Sequence, residues 1–417
     1  MTSMDLIVQK YGGTSVGSLE RIRAVAERVV ASLARCRRMV VVVSAMAGET
    51  NRLLALARQV SEAPEAREVD ALVASGEQVS AALLTIALRA LGRPALSLLG
   101  HQLPVLTDSN HGRARIRSID PERVLQALAQ GNIVVVAGYQ GVNAAGDITT
   151  LGRGAGDLTA VALAAALKAD LCEIYTDVDG VYTADPNLCA SARKLDRISY
   201  EEMLEMAGLG AKVLQFRAVG LAWRYGVPLA VRSSFSAGGQ GTWVGHEDKA
   251  MEEVLVSGVT LDHNQSKLTI AGVADRPGLA ARIFGPIAEA GIVVDMIIQN
   301  AGAEGRTDVT FTVAREDLPA ALDKVKAVAA EIGAQGVRYE EQVAKVSVVG
   351  LGMRTHAGVA ARMFKALADE GINIEMIATS EIKISVVVNA RYGELAMRVL
   401  HDMFVPAAAH PGGREDR

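Results

Sequence analysis

Short apolar runs separated by amphipathic stretches dominate the first part of the chain. Residues 5–9 (DLIVQ) and 39–43 (MVVVV) read as buried strands. Between them, residues 18–34 read as a helix, with Ile22, Val25, Ala26 and Val29 at helical spacing. The pattern predicts a further strand at 132–137 (NIVVVA), a helix at 157–168 and a strand at 171–176. Apolar strands alternating with amphipathic helices predict a mostly parallel sheet covered on both faces. Ligands of such sheets bind at the carboxyl ends of the strands, where Gly-rich turns lead into helix N-termini.

The texture changes near residue 236, where SAGGQGTWVG is followed by the charged HEDKAMEE, and a boundary is expected at about 246–256. Beyond it the chain repeats itself. Lys267 aligns with Lys345 and Gly272 with Gly350, 78 residues apart. After a two-residue insertion, Ala281-Arg282 aligns with Ala361-Arg362, Gly291 with Gly371 and Met296 with Met376, 80 apart. Each copy reads strand, loop, helix, strand, a further strand (307–313 and 382–388) and helix, which predicts a βαββαβ ferredoxin-like module. The expected division is a catalytic region over 1–248, modules over 265–340 and 343–405, and a disordered tail over 406–417. A duplication with no role beyond structure is the plainer reading; paired modules also create clefts suited to small ligands.

With 417 residues the chain is long enough for two or three domains, and its apolar half supplies ample core. The formal net charge of -4 comes from acids and bases mixed along the chain, without a basic stripe for nucleic acid or a polybasic membrane patch. Cys36, Cys172 and Cys189 lie far apart with no C-x-x-C pair, so neither a disulfide framework nor a metal site is expected. No uninterrupted apolar stretch reaches the ~18 residues of a membrane span, and the amino terminus lacks a basic n-region and an apolar h-region, so a cytoplasmic location is expected.

Three Gly-rich turns carry candidate chemistry. Lys10-Tyr11-Gly12-Gly13-Thr14-Ser15-Val16-Gly17 follows the first strand; its glycines allow close backbone approach to a phosphate, and Lys10 adds positive potential. There is no G-x-x-x-x-G-K-[ST] segment, so this is not a P-loop. The second turn, Leu151 to Asp157, opens a long apolar helix. Asp157 reads equally well as that helix's N-cap, and Arg153 carries a fork of donors suited to a carboxylate. The third, Tyr175 to Pro186, places three aspartates after a strand, either as a solvated loop or as a wall around a nucleotide. Glu77, in Ser75-Gly76-Glu77, reads as a first-turn acid at a Gly-marked helix start.

Taken together, KYGGTSVG, VVVVSAM, SGEQVS, LGRG–GD, YTDVDGVYTADP, a helix around Lys212 and the duplicated tail resemble aspartate kinase, of the amino-acid kinase superfamily, over roughly residues 5–405. The tail resembles a pair of ACT domains. The resemblance implies an amino-acid-kinase α/β fold and ATP with Mg²⁺ as phosphoryl donor to the side-chain carboxylate of L-aspartate. It implies that Lys10 stabilises the transferring phosphoryl group, that Gly12, Gly13 and Ser44 line the phosphate site, and that Lys212 holds the nucleotide phosphates. It further implies that Thr176, Asp177, Tyr182 and Asp185 surround the nucleotide, that Thr50, Glu77, Arg153, Gly154 and Gly156 hold the substrate, and that Asp157 orients the lysines. For the tail it implies lysine or threonine as effector at Asp275, Pro277, Gly278, Leu279, Ala280, Gln299, Asn300, Asn373, Ile374, Ser380 and Glu381. A homo-oligomer is expected, and an internal start at Met251 could give a free regulatory subunit.

The chain departs from the family at Gly154-Ala155-Gly156-Asp157, where Gly-Gly-Ser-Asp is common, and at Ala211, where serine often precedes the phosphate-binding lysine. Position 156 therefore lacks a hydroxyl, and Ala155 adds a Cβ where a positive φ would cost about 1 kcal/mol. These departures keep two alternatives open: a nucleotide- and amino-acid-sensing regulatory protein with weak or altered turnover, and a kinase for another acidic amino acid.

Overall fold

The computed structural model describes residues 4–211, 213–236, 238–247, 255–300, 305–354, 356 and 358–405. They form two compact units. The first takes in residues 1–181, 194–208 and 212–249; the second takes in 182–193, 209–211 and the chain from 250 onward.

The first unit begins with β1 (Met4–Tyr11), α1 (Leu19–Ser32), β2 (Cys36–Val43), α2 (Glu49–Val60), α3 (Ala66–Ala90) and β3 (Ala95–Leu98). There follow β4 (Val105–Thr107), β5 (Ile116–Ile119), α4 (Glu122–Ala129), β6 (Ile133–Ala137), β7 (Gln140–Val142), β8 (Ile148–Thr150) and α5 (Ala155–Leu167). β9 (Leu171–Thr176), β10 (Arg197–Ser199), α6 (Tyr200–Gly208), α7 (Phe216–Tyr225), β11 (Leu229–Ser233) and β12 (Thr242–Gly245) complete it.

The main sheet runs β10-β12-β11-β9-β1-β2-β6-β3. All its pairings are parallel except that of β11 with β12. Val40 to Val43 and Val134 to Val136 are wholly buried, as strands covered on both faces require. Helix α5 is apolar all round and buried along nearly its whole length, so it runs through the interior. A small sheet, β5-β4-β7-β8, adjoins this layer structure. By length and composition α3 could span a membrane, but half of its apolar window is buried within the unit.

Two sequence expectations are corrected here. Gly76 does not start a helix: it lies in the middle of the 25-residue α3, where a Cβ would come within 2.9 Å of the Ala45 Cβ. Glycine at 76 serves close packing and leaves the helix unbroken. The predicted helix around Lys212 is replaced by a break, since α6 ends at Gly208, α7 begins at Phe216, and 211, 213 and 214 are non-helical. Lys212 itself lies outside the described residues, as does Met251.

The second unit is built from β13 (Gly258–Ala274), α8 (Leu279–Glu289), β14 (Val294–Gln299), β15 (Arg306–Val313), α9 (Leu318–Ile332), β16 (Gly336–Val349), α10 (Val359–Asp369), β17 (Ile374–Thr379), β18 (Lys383–Asn389) and α11 (Gly393–Phe404). Its sheet runs β14-β15-β13-β16-β18-β17. The two repeats share it through their long central strands. The second half of β13 pairs with the first half of β16, and Gly258–Asp262 of β13 pairs with Lys345–Val349, with register shifts between Asp262 and Lys267. The first repeat thus closes on its own last strand segment, 336–340, whereas the second is completed by Gly258–Asp262, a segment that precedes the first repeat in the chain. Helices α8 and α9 close one core and α10 and α11 the other.

Reciprocal ion pairs tie the repeats together. Lys267 of β13 reaches Glu375 of β17 at 2.6 Å, and its counterpart Lys345 of β16 pairs with Asp295 of β14, the counterpart of Glu375. Both pairs link strands three places apart in the sheet order. In a flat sheet that is about 14 Å, beyond direct side-chain contact, so the sheet curls.

Candidate active site

In the first unit a cavity of about 250 Å³ opens at the carboxyl ends of β1, β2 and β6. Lys10, Gly13, Ser44, Thr50, Glu77, Tyr139, Arg153, Gly154 and Gly156 line it, along with 45–48, Asn51 and Ala155. The first turns of α2 and α5 form part of its wall. Both helices start from a left-handed glycine, Gly48 at φ 81° and Gly154 at φ 74°. Two helix N-termini and an ammonium around one cavity make a site for anions.

Lys10 Nζ lies 2.7 Å from Asp157 Oδ1. Among the described residues that oxygen has no partner in hydrogen-bond geometry, so its contact with Lys10 is electrostatic in character. Asp157 Oδ2 accepts the N–H of Gln215. Asp157 is therefore not the N-cap of α5, correcting one sequence reading: Gly154 takes the cap position and Asp157 stands a turn inside, facing Lys10. The feared strain at Ala155 is also absent, because the positive φ values fall on Gly152 (92°) and Gly154 (74°). At Gly156 a Cβ would meet Ser44 Oγ at 2.9 Å and Lys10 Cε at 3.2 Å. A bare backbone at 156 leaves those two side chains their present positions.

Glu77 projects from the buried face of α3 and is 3% exposed. Its Oε1 accepts the Ala45 N–H at 3.2 Å, whereas Oε2 is buried with no partner among the described residues. Burial pushes this carboxyl up to about 7, against the lowering effect of the Ala45 N–H. A half-satisfied carboxylate on a cavity wall suits a ligand ammonium. Arg153 is exposed on the same wall, and its guanidinium makes no hydrogen bond or ion pair among the described residues.

Of the other sequence candidates, Gly12 follows β1, and its N–H bonds to the Tyr175 carbonyl. Thr176 and Asp177 stand at the end of β9, which pairs with β1, but do not line the cavity. Tyr182 and Asp185 lie in the 182–193 segment, which belongs to the second unit; Asp185 is engaged by the N–H and side chain of Asn187. The sequence reading did not select Tyr139, which lines the cavity in a left-handed conformation at φ 68°.

In the second unit Gly278 caps α8 in the left-handed region, Leu279 is buried, and Asp275, Pro277 and Ala280 are exposed. Gln299 and Asn300 end β14 at one edge of the sheet, and Asn373, Ile374, Ser380 and Glu381 flank β17 at the other. These effector candidates thus fall into two sets. A mixed cluster, Cys189, His401 and Asp402, brings its ligand atoms within 4.8 Å of one another. Ser191 Oγ stands among them, 2.7 Å from Asp402 and 3.2 Å from His401 Nδ1, while Thr183 Oγ1 meets Nε2 at 2.8 Å. The cluster is a connected hydrogen-bond node.

Comparison with known proteins agrees with this geometry. The amino acid kinase family model matches residues 5–233, and two ACT domain models match 267–330 and 346–404. The aspartate kinase of Stutzerimonas stutzeri is 56% identical over 402 residues, 96% of this chain and 97% of that protein. E. coli aspartokinase III in complex with aspartate and ADP, in its R-state, matches with a TM-score of 0.82 at 28% identity, over 95% of this chain and 99% of that one. The same enzyme in complex with lysine and aspartate, in its T-state, matches at 0.73 and 28% identity, over 96% and 99%. The chain belongs to the aspartate kinases, enzymes of the amino acid kinase family that here carry two ACT domains.

Proposed function

We propose that the cavity transfers the γ-phosphoryl group of ATP to the side-chain carboxylate of L-aspartate, giving 4-phospho-L-aspartate and ADP. One observation carries this reading: Lys10, paired with Asp157, shares a single cavity with Glu77 and Arg153, which among the described residues are half-satisfied and unpaired respectively. Glu77 takes the substrate ammonium beside Thr50, and Arg153 takes a carboxylate, with Gly154 and Gly156 giving room. A side-chain carboxylate oxygen attacks the γ-phosphorus, an O–P bond forms, and the bond to the ADP oxygen breaks. The nucleophile has an ordinary pKa near ~3.9 and is already ionised, so no general base is needed. The obstacle is repulsion between two anions, which Lys10 and the two helix N-termini offset. Asp177, exposed at the end of β9, would be the carboxylate to hold Mg²⁺ through water, and the ion would supply positive charge against the developing anion. Gly12, Gly13, Ser44, Thr176, Asp177 and Lys212 would surround the nucleotide.

The product would open lysine, threonine and methionine biosynthesis, and its ATP-dependent formation belongs in the cytoplasm. Lysine or threonine would bind the paired modules and shift the balance of active and inactive arrangements. The complex of the E. coli enzyme with lysine supports the first of these effectors. A homo-oligomer of at least two chains, and a free regulatory piece beginning at Met251, complete the proposal. ADP release that depends on L-aspartate, with the acyl phosphate trapped by hydroxylamine, tests the reaction; ADP release unaffected by L-aspartate would leave only the sensor reading. Titrating lysine and threonine, singly and together, tests regulation. Light scattering and a blot against the tail test assembly and the internal start.

A further inference from the structure

Among the described residues Arg153 has no hydrogen-bond or ion-pair anchor of its own. It stands between Gly152 at φ 92° and Gly154 at φ 74°, the two most permissive backbone positions in its loop. Its position therefore depends on how the main chain is held on either side. On the downstream side α5 is fixed through Asp157, which meets Lys10 and Gln215. On the upstream side two side chains outside the cavity lining grip the main chain.

The first is Asp70, on α3 two turns before Glu77 and 1% exposed. Its carboxylate accepts the Thr150 N–H at 3.0 Å and the Thr150 hydroxyl, and the Gly112 N–H at 3.0 and 3.1 Å. His111 Nδ1 meets it at 2.8 Å. The second is Arg217, on α7 and half-buried. Its guanidinium donates to the Leu151 carbonyl at 2.7 Å and to the Ala114 carbonyl at 3.0 Å. The Ala114 N–H also bonds the Thr150 carbonyl at 2.9 Å. An acid thus collects the N–H groups, and a base the C=O groups, of the same two backbone segments, 111–114 and 150–151. Arg153 begins two residues beyond this bracket.

We infer that Asp70 and Arg217 are positioning residues that together set where Arg153 meets the substrate carboxylate. The inference rests on the L-aspartate reading of the cavity. A surface loop would not need two charged side chains withdrawn from water for its main chain. A guanidinium that recognises a carboxylate through two parallel bonds does need a fixed origin.

The test uses the full chain with Asp70→Asn, Arg217→Met and the milder Arg217→Lys. Asparagine keeps the shape of Asp70 but offers too few acceptors for its partners. Displacing Arg153 by about 1 Å is expected to raise KM for L-aspartate roughly tenfold or more in Asp70→Asn and Arg217→Met. KM for ATP should stay within about twofold, and Arg217→Lys should recover part of the loss. Amide exchange should quicken in peptides covering 108–116 and 148–156 and stay at the wild-type rate elsewhere. Faster exchange there with an unchanged KM for L-aspartate would overturn the inference. So would an equal rise in both KM values with exchange quickened throughout the unit. Wild-type protein that releases no ADP with L-aspartate would overturn the kinase reading separately. In that case calorimetric binding of L-aspartate decides the bracket, and equal Kd values in wild type and variants would sink it.

Discussion

Glu77 makes a prediction with its own internal control. Its carboxyl is pushed up to about 7 by burial, and one of its oxygens has no partner among the described residues. If the ionised form receives the substrate ammonium, only that fraction binds. With a pKa near 7 the ionised share falls from about nine-tenths at pH 8 to about one-tenth at pH 6. The KM for L-aspartate at saturating ATP should therefore rise about tenfold over that interval. The substrate's side-chain carboxylate, ordinarily near ~3.9, and its more acidic α-carboxylate do not titrate there. Glu77→Gln should abolish the slope and weaken binding at pH 8 by roughly 10- to 150-fold, the loss of a hydrogen bond to a charged group worth about 1.5–3 kcal/mol. Stability should move the other way. A carboxyl whose folded pKa lies above its unfolded value contributes its full stability below the unfolded pKa of 4.5 and loses it as pH rises through about 7. The difference amounts to about 3 kcal/mol. The weaker-binding variant should therefore be the more stable protein at pH 8, with the gain gone near pH 4.5. ADP release measured from pH 6 to 8 reads the first arm, and urea unfolding at pH 4.5 and 8 reads the second. A flat KM in the wild type, or a slope that survives Glu77→Gln, would refute the reasoning.

Three other changes have definite expected outcomes. Lys10→Ala should abolish turnover while keeping a cooperative urea transition, at a lowered midpoint because Asp157 loses its counter-charge; near-normal kcat would remove Lys10 from its role. Gly156→Ser should lower kcat despite restoring the residue common in the family, because its Cβ would press on Ser44 Oγ and Lys10 Cε. A gain in kcat/KM would show that the cavity rearranges freely. In the second unit Asp295→Asn should destabilise by about 3–5 kcal/mol, since it leaves Lys345, 1% exposed, buried without its counter-charge. Lys345→Met, which removes the charge and keeps the volume, should cost clearly less; the reverse order in denaturant unfolding would contradict the desolvation argument.

The strands and the Gly-rich turns were legible because their signals are local. A run of valines such as that at 40–43 suits a strand buried on both faces, and the segments 36–43, 133–137 and 171–176 form strands where apolar runs alternating with helices placed them. Lys10 and Arg153 were legible for the same reason, each lying in a glycine-marked turn after or before a regular element. Gly76 misled, because a glycine that allows helix α3 to touch Ala45 looks like one that ends a helix. Asp157 was open to two readings on local grounds, since an acid near a helix start is a common cap; the fold gives the cap to Gly154 and brings Lys10 to Asp157. Asp70 and Arg217 gave no signal at all. Their partners are main-chain groups 42 and 80 residues away for Asp70, and 66 and 103 for Arg217. The strand sharing between repeats was equally hidden, because a duplication fixes which residues correspond and leaves their pairing open.

That sharing governs how the tail is made. As the ribosome releases Gly258–Asp262, its partner segment Lys345–Val349 is still about ninety residues from being synthesised. Until then this length of β13 has an open row of amide and carbonyl groups, the kind of edge on which neighbouring nascent chains aggregate. The second repeat keeps this pairing only while the segment before the first repeat stays in the chain, so a cassette that moves the second repeat must begin at Gly258 and carry the first with it.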